Sequence, residues 1–206
     1  NINPVFTGTP GISGTAAVGS PLSVTNTATT DADGDTVILA YQWQADGSNI
    51  AGATGASFTP TADQAHALIT VTVTGSDGNG GSASVSSAGV TVANSTPMFT
   101  TTPAISGSAV LGSVLSIINT ATTDADGDAI TLSYQWQADG VDIAGAISST
   151  FTPTINQAHA SITVTVTADD DNSGTSAPET PAGGTVADRI PTVDATLSVS
   201  GSAVRG

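Results

Sequence analysis

The chain has 206 residues, no cysteine, and seventeen acidic residues against two arginines, so its formal net charge is −15. Such a surface repels phosphate groups, which argues against binding to nucleic acid or to anionic membranes. Without cysteine, neither a disulfide framework nor a thiolate metal site can form. We also find no signal peptide and no apolar run long enough to span a membrane, and therefore expect no membrane insertion.

An internal repeat predicts two domains. An offset of 93 residues relates Trp43 to Trp136, and the same offset relates Phe58 to Phe151. The sequence from Pro191 resembles the start of the second copy, so we expect a piece of a longer tandem array. The predicted division is residues 1–96 for repeat 1, residues 97–190 for repeat 2 and residues 191–206 for the start of a third repeat.

The predicted elements of each repeat are short strands. In the first copy they are a broken edge strand over residues 4–15, a strand over 22–30, one from Val37 through Trp43, one over 56–60, one over 69–74 and a last one that ends at Val92. A connecting loop is expected over residues 63–67. Val37, Leu39, Tyr41 and Trp43 alternate with smaller or more polar residues, and this period of two places Tyr41 and Trp43 on one buried face. About seven strands and no helical period predict an all-β sandwich.

An acidic loop precedes the tryptophan strand in both copies. Asp31, Asp33 and Asp35 place three carboxylates within five residues, and no Lys or Arg lies nearby in the sequence. Like charges this close repel one another by about 1 kcal/mol per pair even in water. A bound cation would relieve the repulsion, and the short Asp side chain suits the oxygen cage of a hard cation.

The turn between the last two strands of a sandwich lies at the same pole as this loop. Calcium takes six to eight oxygen ligands in flexible geometry, so side chains and carbonyls of both segments could supply them. We therefore predict calcium ligands in both copies: Asp31, Asp33, Asp35, Asp77, Asp124, Asp126, Asp128 and Asp170. The alternative is a solvated acidic turn. The loop is not an EF-hand, because its glycine is fourth rather than sixth and a strand follows it.

Catalysis has no support in the sequence. His66 lies near one carboxylate, Asp63, whose counterpart beside His159 is Asn156, so we interpret both histidines as plain surface residues. No Ser, His and Asp set has a recognisable motif context. The threonines of ITVTVT are interpreted as the solvent-facing side of a strand. We expect a protein that is not an enzyme.

The motifs YQWQADG, IAGATG and ITVTVT, met in this order, resemble the bacterial immunoglobulin-like repeats of very large surface adhesins, often exported by type I secretion systems. The TDADGD loop resembles the calcium loops of cadherin-like repeats in the same (RTX) class of proteins. The resemblance covers essentially the whole chain, twice. It implies tandem immunoglobulin-like β-sandwich domains, with Trp43 and Trp136 as the core tryptophans.

The main hypothesis is a calcium-stiffened spacer of an extracellular, cell-surface adhesin involved in cell adhesion or biofilm. Its partners would be the neighbouring repeats of the same chain and other copies of itself. One alternative is a self-assembling fibre subunit in which residues 191–206 donate a strand to a neighbour's open sheet edge. Another is a module that binds a glycan or a protein through its loops.

Overall fold

The computed structural model describes residues 1–189 and shows a chain built almost entirely of β-strands, with two successive immunoglobulin-like sandwiches. The predicted fold class is confirmed. The predicted start of a third repeat at residues 191–206 lies outside the described residues. Within the described part, no helix is long and apolar enough to cross a membrane.

The first copy contains ten short strands within residues 1–93. They are β1 (Val5–Phe6), β2 (Gly11–Ser13), β3 (Leu22–Thr25), β4 (Thr29–Thr30), β5 (Ile38–Ala45), β6 (Ser48–Asn49), β7 (Ser57–Phe58), β8 (Leu68–Ser76), β9 (Ser82–Ser86) and β10 (Val90–Thr91). One sheet has the order β10-β8-β5-β6, with β9 also paired to β8, and another has the order β2-β3-β7. All the pairs are antiparallel.

The predicted edge strand is broken as expected and changes partner. β1 pairs with β4, whereas β2 pairs with β3. The predicted strand over residues 22–30 is interrupted at Asn26, whose φ of 56° is the left-handed conformation that asparagine tolerates better than most residues. The expected loop over residues 63–67 overlaps a short 3₁₀ helix, Ala62–Gln64. A helix of three residues is too short to produce a recognisable hydrophobic period in the sequence.

The core of the first copy lies on the inward face of β5 and β8. Trp43 is fully buried and packs with Leu22, Ile69, Val71 and Val73, which are also fully buried. Tyr41 and Leu39 pack against this cluster, as the period of two predicted. The alternating Thr70, Thr72 and Thr74 lie on the opposite face, where Thr72 and Thr74 share hydrogen bonds with serines of β9.

The second copy repeats most of these strands. They are β11 (Met98–Phe99), β12 (Ala104–Ser106), β13 (Leu115–Ile118), β14 (Thr122–Thr123), β15 (Ile130–Ala138), β16 (Val141–Asp142), β17 (Thr150–Phe151), β18 (Ser161–Asp170) and β19 (Ala182–Thr185). No described strand corresponds to β9; Asp169 and Val166 instead form isolated bridges to Thr175 and Glu179. Pro178 and Pro181 lie in this stretch, and proline has no N–H to donate to a ladder.

The chain divides into two compact units whose limits differ from those of the repeats. Unit 1 contains Asn1–Thr100, Ala121–Leu132 and Thr167–Ala177. Unit 2 contains Thr101–Thr120, Ser133–Val166 and the described chain from Pro178. Unit 1 therefore holds the whole first sandwich together with the acidic loop and the Asp170 turn of the second copy. The repeat boundaries at residues 96 and 190 stay predictions.

Candidate metal centre

The first acidic loop connects β4 to β5 and folds around Asp31. The Oδ1 atom of Asp31 accepts hydrogen bonds from the backbone N–H groups of Asp33 at 2.9 Å and Asp35 at 3.4 Å. One carboxylate oxygen from each of the three residues lies within 4.8 Å of the others. The spacing of two residues in the sequence thus brings three negative charges to one place.

An unpartnered oxygen tests whether this loop fits a cation. The Oδ2 atom of Asp31 is buried and accepts no hydrogen bond. A buried carboxylate oxygen without a donor is unfavourable unless a positive charge compensates it. Unit 1 contains no lysine or arginine, since the two arginines of the chain are residues 189 and 205. The donor set of three carboxylates suits a hard divalent cation such as calcium.

The acidic loop of the second copy repeats part of this geometry, but among the described residues only Asp126 and Asp128 of this loop, and not the predicted ligand Asp124, belong to a group of close ligand atoms. Asp124 Oδ1 accepts the N–H of Asp126 at 2.7 Å, and Asp124 Oδ2 is again buried without a donor. Asp126 is buried, with 5% of its surface exposed. Asp126 and Asp128 bring their oxygens close to the imidazole of His66, which lies in the first repeat. The repetition of the unpartnered oxygen indicates a property of the loop sequence.

Asp77 closes the turn between β8 and β9. Its Oδ1 accepts hydrogen bonds from the N–H groups of Asn79 at 2.8 Å and Gly81 at 2.9 Å, and its Oδ2 accepts one from Asn1 Nδ2 at 2.9 Å. The Asn1 amide, together with the two N–H groups and against the opposing effect of burial, holds the pKa of Asp77 below its usual range. Asp77 is therefore ionised and braces its own turn.

Asp170 has the same role in the second copy. Its carboxylate accepts hydrogen bonds from Gly174 N at 2.6 Å, Asn172 N at 2.9 Å and Asn94 Nδ2 at 3.0 Å. Burial alone would raise the pKa of Asp170, but the combined effect of these hydrogen bonds and the nearby His66 is larger and lowers it. The pKa of Asp170 therefore lies below its usual range. Within residues 1–189, the grouped oxygens of the two acidic loops do not include those of Asp77 or Asp170.

An asparagine side chain, and not a direct contact between carboxylates, connects the Asp77 turn to the first acidic loop. Asn79, in the Asp77 turn, donates its side-chain N–H to Asp35 Oδ2 at 2.9 Å. In the second copy the corresponding Asn172 contacts His66 Nε2 at 3.3 Å, and His66 contacts Asp128. The turn of the predicted ligand Asp77 thus presents an amide to the first acidic loop, whereas the turn of Asp170 reaches Asp128 through His66.

The structure also reveals what we call the linker clamp, in which two carboxylates hold the two residues shortly before the first strand of each copy, Asn1 and Ile2 or Asn94 and Ser95. Asn1 Nδ2 donates to Asp77 and Ile2 N donates to Asp33 at 2.7 Å. In the second copy Asn94 Nδ2 donates to Asp170 and Ser95 N to Asp126 at 2.5 Å, over the same sequence separations of 76 and 31 residues. Sequence reasoning missed this contact, although asparagine at both positions 1 and 94 obeys the offset of 93 residues.

His66 makes the other contact that sequence reasoning missed. Its Nε2 lies 3.1 Å from Asp128 Oδ2, and its side chain is 37% exposed. His66 is exposed, as interpreted from the sequence, but its contact with Asp128 was not predicted, because Asp128 is 62 residues away in the sequence and no local pattern indicates it. His159 is 76% exposed and lies 3.7 Å from the Asp188 carboxylate.

No protein-family model matches the chain, and no curated protein matches it significantly. Solved structures similar to it include three N-terminal domains of the bacteriophage RB49 highly immunogenic outer capsid protein Hoc, at 18% identity and a TM-score of 0.34 over 84% of this chain. The chain spans 58% of that structure.

Two further similar structures are known. The fibronectin(III)-like modules of Clostridium thermocellum CbhA are 15% identical with a TM-score of 0.32, and the match covers 87% of this chain and 94% of theirs. The N-terminal Ig1-2 module of the Drosophila receptor protein tyrosine phosphatase DLAR is 12% identical with a TM-score of 0.26, covering 91% and 100% of the two chains. Values this low say nothing about what the chain binds.

The lowered pKa values of Asp77 and Asp170 predict an acid-sensitive fold in metal-free buffer. A carboxylate whose pKa is depressed by folding stabilises the native state fully above its unfolded pKa of about 3.9, and this contribution is lost as the pH falls through the lower folded value. We expect the melting temperature of the native chain to fall below about pH 4. Thermal unfolding followed by circular dichroism between pH 2 and 7 measures this.

The double variant Asp77→Asn, Asp170→Asn should lose much of this acid sensitivity, because neither site can then release a proton on folding. Asp63→Asn, at an exposed residue of the first copy, serves as the matched control and should keep the native profile. The same acid profile in the double variant and in the native chain would show that other groups govern acid unfolding.

Proposed function

We propose that this chain is a non-enzymatic structural module, a calcium-stabilised immunoglobulin-like spacer of a large bacterial surface adhesin that acts in cell adhesion or biofilm. One observation carries the proposal. In both copies an acidic loop holds a buried carboxylate oxygen without a donor, Asp31 Oδ2 and Asp124 Oδ2, beside the residues that clamp the linker.

The charges favour a bound cation over a solvated turn. Three carboxylates of the first loop converge within 4.8 Å, and unit 1 has no lysine or arginine to compensate them. At this separation each pair repels by about 1 kcal/mol even in water. When bound, calcium would supply positive charge to Asp31, Asp33 and Asp35 in the first copy and to Asp124, Asp126 and Asp128 in the second.

The protein's own residues connect such a site to the linker. Asp33 and Asp126 each belong to an acidic loop and also accept an N–H from the linker, that of Ile2 or Ser95. A cation that fixes these carboxylates therefore also fixes Ile2 and Ser95, which lie shortly before the first strand of each copy. Because the ion binds the ordered loop and not the unfolded chain, its binding free energy adds to the stability of the fold.

Thermal unfolding with and without metal tests the proposal. The 206-residue chain is melted in EDTA, in millimolar calcium chloride and in millimolar magnesium chloride, with small-angle scattering on the same samples. We expect a higher melting temperature and a narrower distribution of particle dimensions in calcium, with a smaller effect of magnesium, which demands octahedral geometry. Identical curves in EDTA and in calcium would overturn the proposal and leave the loops as solvated turns.

A further inference from the structure

A second kind of metal-ligand cluster lies in unit 1, and it contains a nitrogen donor. The Nε2 of His66 and carboxylate oxygens of Asp126 and Asp128 all lie within 4.8 Å of one another. Nε2 is 3.1 Å from Asp128 Oδ2 and 3.4 Å from Asp128 Oδ1. The first acidic loop, by contrast, groups three carboxylates.

The backbone positions His66 independently of any ion. The 3₁₀ helix before it is fixed by Thr61, whose N–H and hydroxyl both donate to Gln64 Oε1, at 3.1 and 2.9 Å. His66 itself has a left-handed φ of 62°, and His159 has a φ of 63°. The nearly equal angles show that the local sequence gives this residue the same left-handed backbone conformation in both repeats. What differs is the set of groups facing each ring.

We propose that His66, Asp126 and Asp128 form a site for a borderline divalent transition metal of the zinc class. Zinc binds imidazole nitrogen at 2.0–2.1 Å and carboxylate oxygen at about 2.0–2.2 Å in tetrahedral geometry, so neighbouring ligand atoms lie about 3.3 Å apart. The one ligand pair with a defined distance, His66 Nε2 and Asp128 Oδ2 at 3.1 Å, is close to this spacing. One Asp126 oxygen lies within 4.8 Å of both of these atoms.

The surroundings support the three ligands. Asp126 is buried and accepts two hydrogen bonds from Ser95, from the N–H at 2.5 Å and from the hydroxyl at 3.1 Å, which fix the orientation of its carboxylate. Asn172 Nδ2 lies 3.3 Å from His66 Nε2. Rotation of the Asn172 amide by half a turn exchanges its ends and presents a carbonyl oxygen as a fourth donor, in competition with water.

This site goes beyond the calcium proposal and does not rest on it, although it shares Asp126 and Asp128 with the proposed second calcium site, so that the two ions would compete there. Calcium takes oxygen ligands, and an imidazole nitrogen adds little to its affinity. Imidazole combined with carboxylate suits zinc and its neighbours in the transition series. A requirement for His66 therefore distinguishes zinc-class binding from calcium binding at the same loop.

Zinc titration of the 206-residue chain in phosphate-free buffer tests the proposal. Affinity is measured by competition with a colorimetric chelator, and the two imidazoles of the chain are followed by nitrogen-15 nuclear magnetic resonance. We expect zinc to shift the ring signals of His66 and not those of His159. His66→Ala should weaken the affinity for zinc by at least about 10- to 100-fold. This is the loss that mutation of a hydrogen-bond partner of a metal ligand typically produces, and here a ligand itself is removed.

His159→Ala is the matched control, since the same backbone geometry there faces the single carboxylate of Asp188 at 3.7 Å. It should keep native zinc affinity, and the melting temperature of each metal-free variant verifies that it folds. Equal zinc affinity in His66→Ala and the native chain, or equal shifts of both imidazoles, would overturn the proposal. Calcium binding measured on His66→Ala should match that of the native chain, so failure of either metal site is seen separately.

Discussion

Replacing Trp43 with alanine is expected to lower the free energy of unfolding of the first sandwich by about 3–5 kcal/mol. The side chain is fully buried, its ring centroid lies 5.6 Å from that of Phe58, and its Nε1 donates to the Gly55 carbonyl at 2.9 Å. Alanine leaves a cavity and an unpaired carbonyl. Urea denaturation followed by far-ultraviolet circular dichroism measures the loss.

Two variants control this result. Trp136→Ala should destabilise the second sandwich to a similar degree, because Trp136 is also fully buried, donates to Ser148 O at 2.8 Å and stacks on Phe151 at 5.4 Å. Ile38→Ala, on the same strand as Trp43 but 68% exposed, should change stability by no more than about 0.5 kcal/mol. A loss below about 1 kcal/mol for Trp43→Ala would contradict the assigned core.

Replacing Asp31 and Asp124 together with asparagine is expected to abolish the stabilisation by calcium. Each carboxylate provides the buried unpartnered oxygen of its loop, and the substitution removes one negative charge from each site. The remaining amide oxygen can still accept the N–H groups of the loop, so the metal-free fold should persist. At free calcium about one hundred times the dissociation constant, each lost site removes about 2.7 kcal/mol of stabilisation.

Asp63→Asn makes the same kind of substitution once, at an exposed residue outside the acidic loops, and serves as the control. Its melting temperature should rise in calcium as much as that of the native chain. If the double variant responds to calcium as strongly as the control does, the unpartnered oxygens are not ligands. Differential scanning calorimetry of the three proteins in EDTA and in calcium makes the comparison.

The fold was predictable for strands in which every second residue is apolar and faces the core. Leu39, Tyr41 and Trp43 face the core as expected, and the threonines of β8 lie on the other face. The residues at which strands begin and end were harder to predict. The sequence pattern predicted one continuous strand over residues 22–30, but the strand is interrupted at Asn26. A left-handed backbone conformation at a single residue does not change the hydrophobic period, so the sequence pattern does not indicate it.

The candidate site was predictable only in its local part. Each acidic loop is recognisable in the sequence by three aspartates at a spacing of two residues, and the structure places their oxygens together in the first copy. The contacts of His66 with Asp128 and of Asn94 with Asp170 span 62 and 76 residues. Such contacts depend on how the strands return to one pole, and local periodicity carries no information about them.

The most direct test of calcium binding is a calorimetric titration of calcium chloride into the metal-free 206-residue chain, with the Asp31→Asn, Asp124→Asn variant titrated alongside. We expect saturable binding to the native chain, involving both acidic loops, with dissociation constants that could be as weak as about 0.1–1 mM, the range of known extracellular calcium modules. The variant should show no saturable binding in this range. Equal binding heats for the two proteins, or none for the native chain, would contradict a calcium-stabilised spacer.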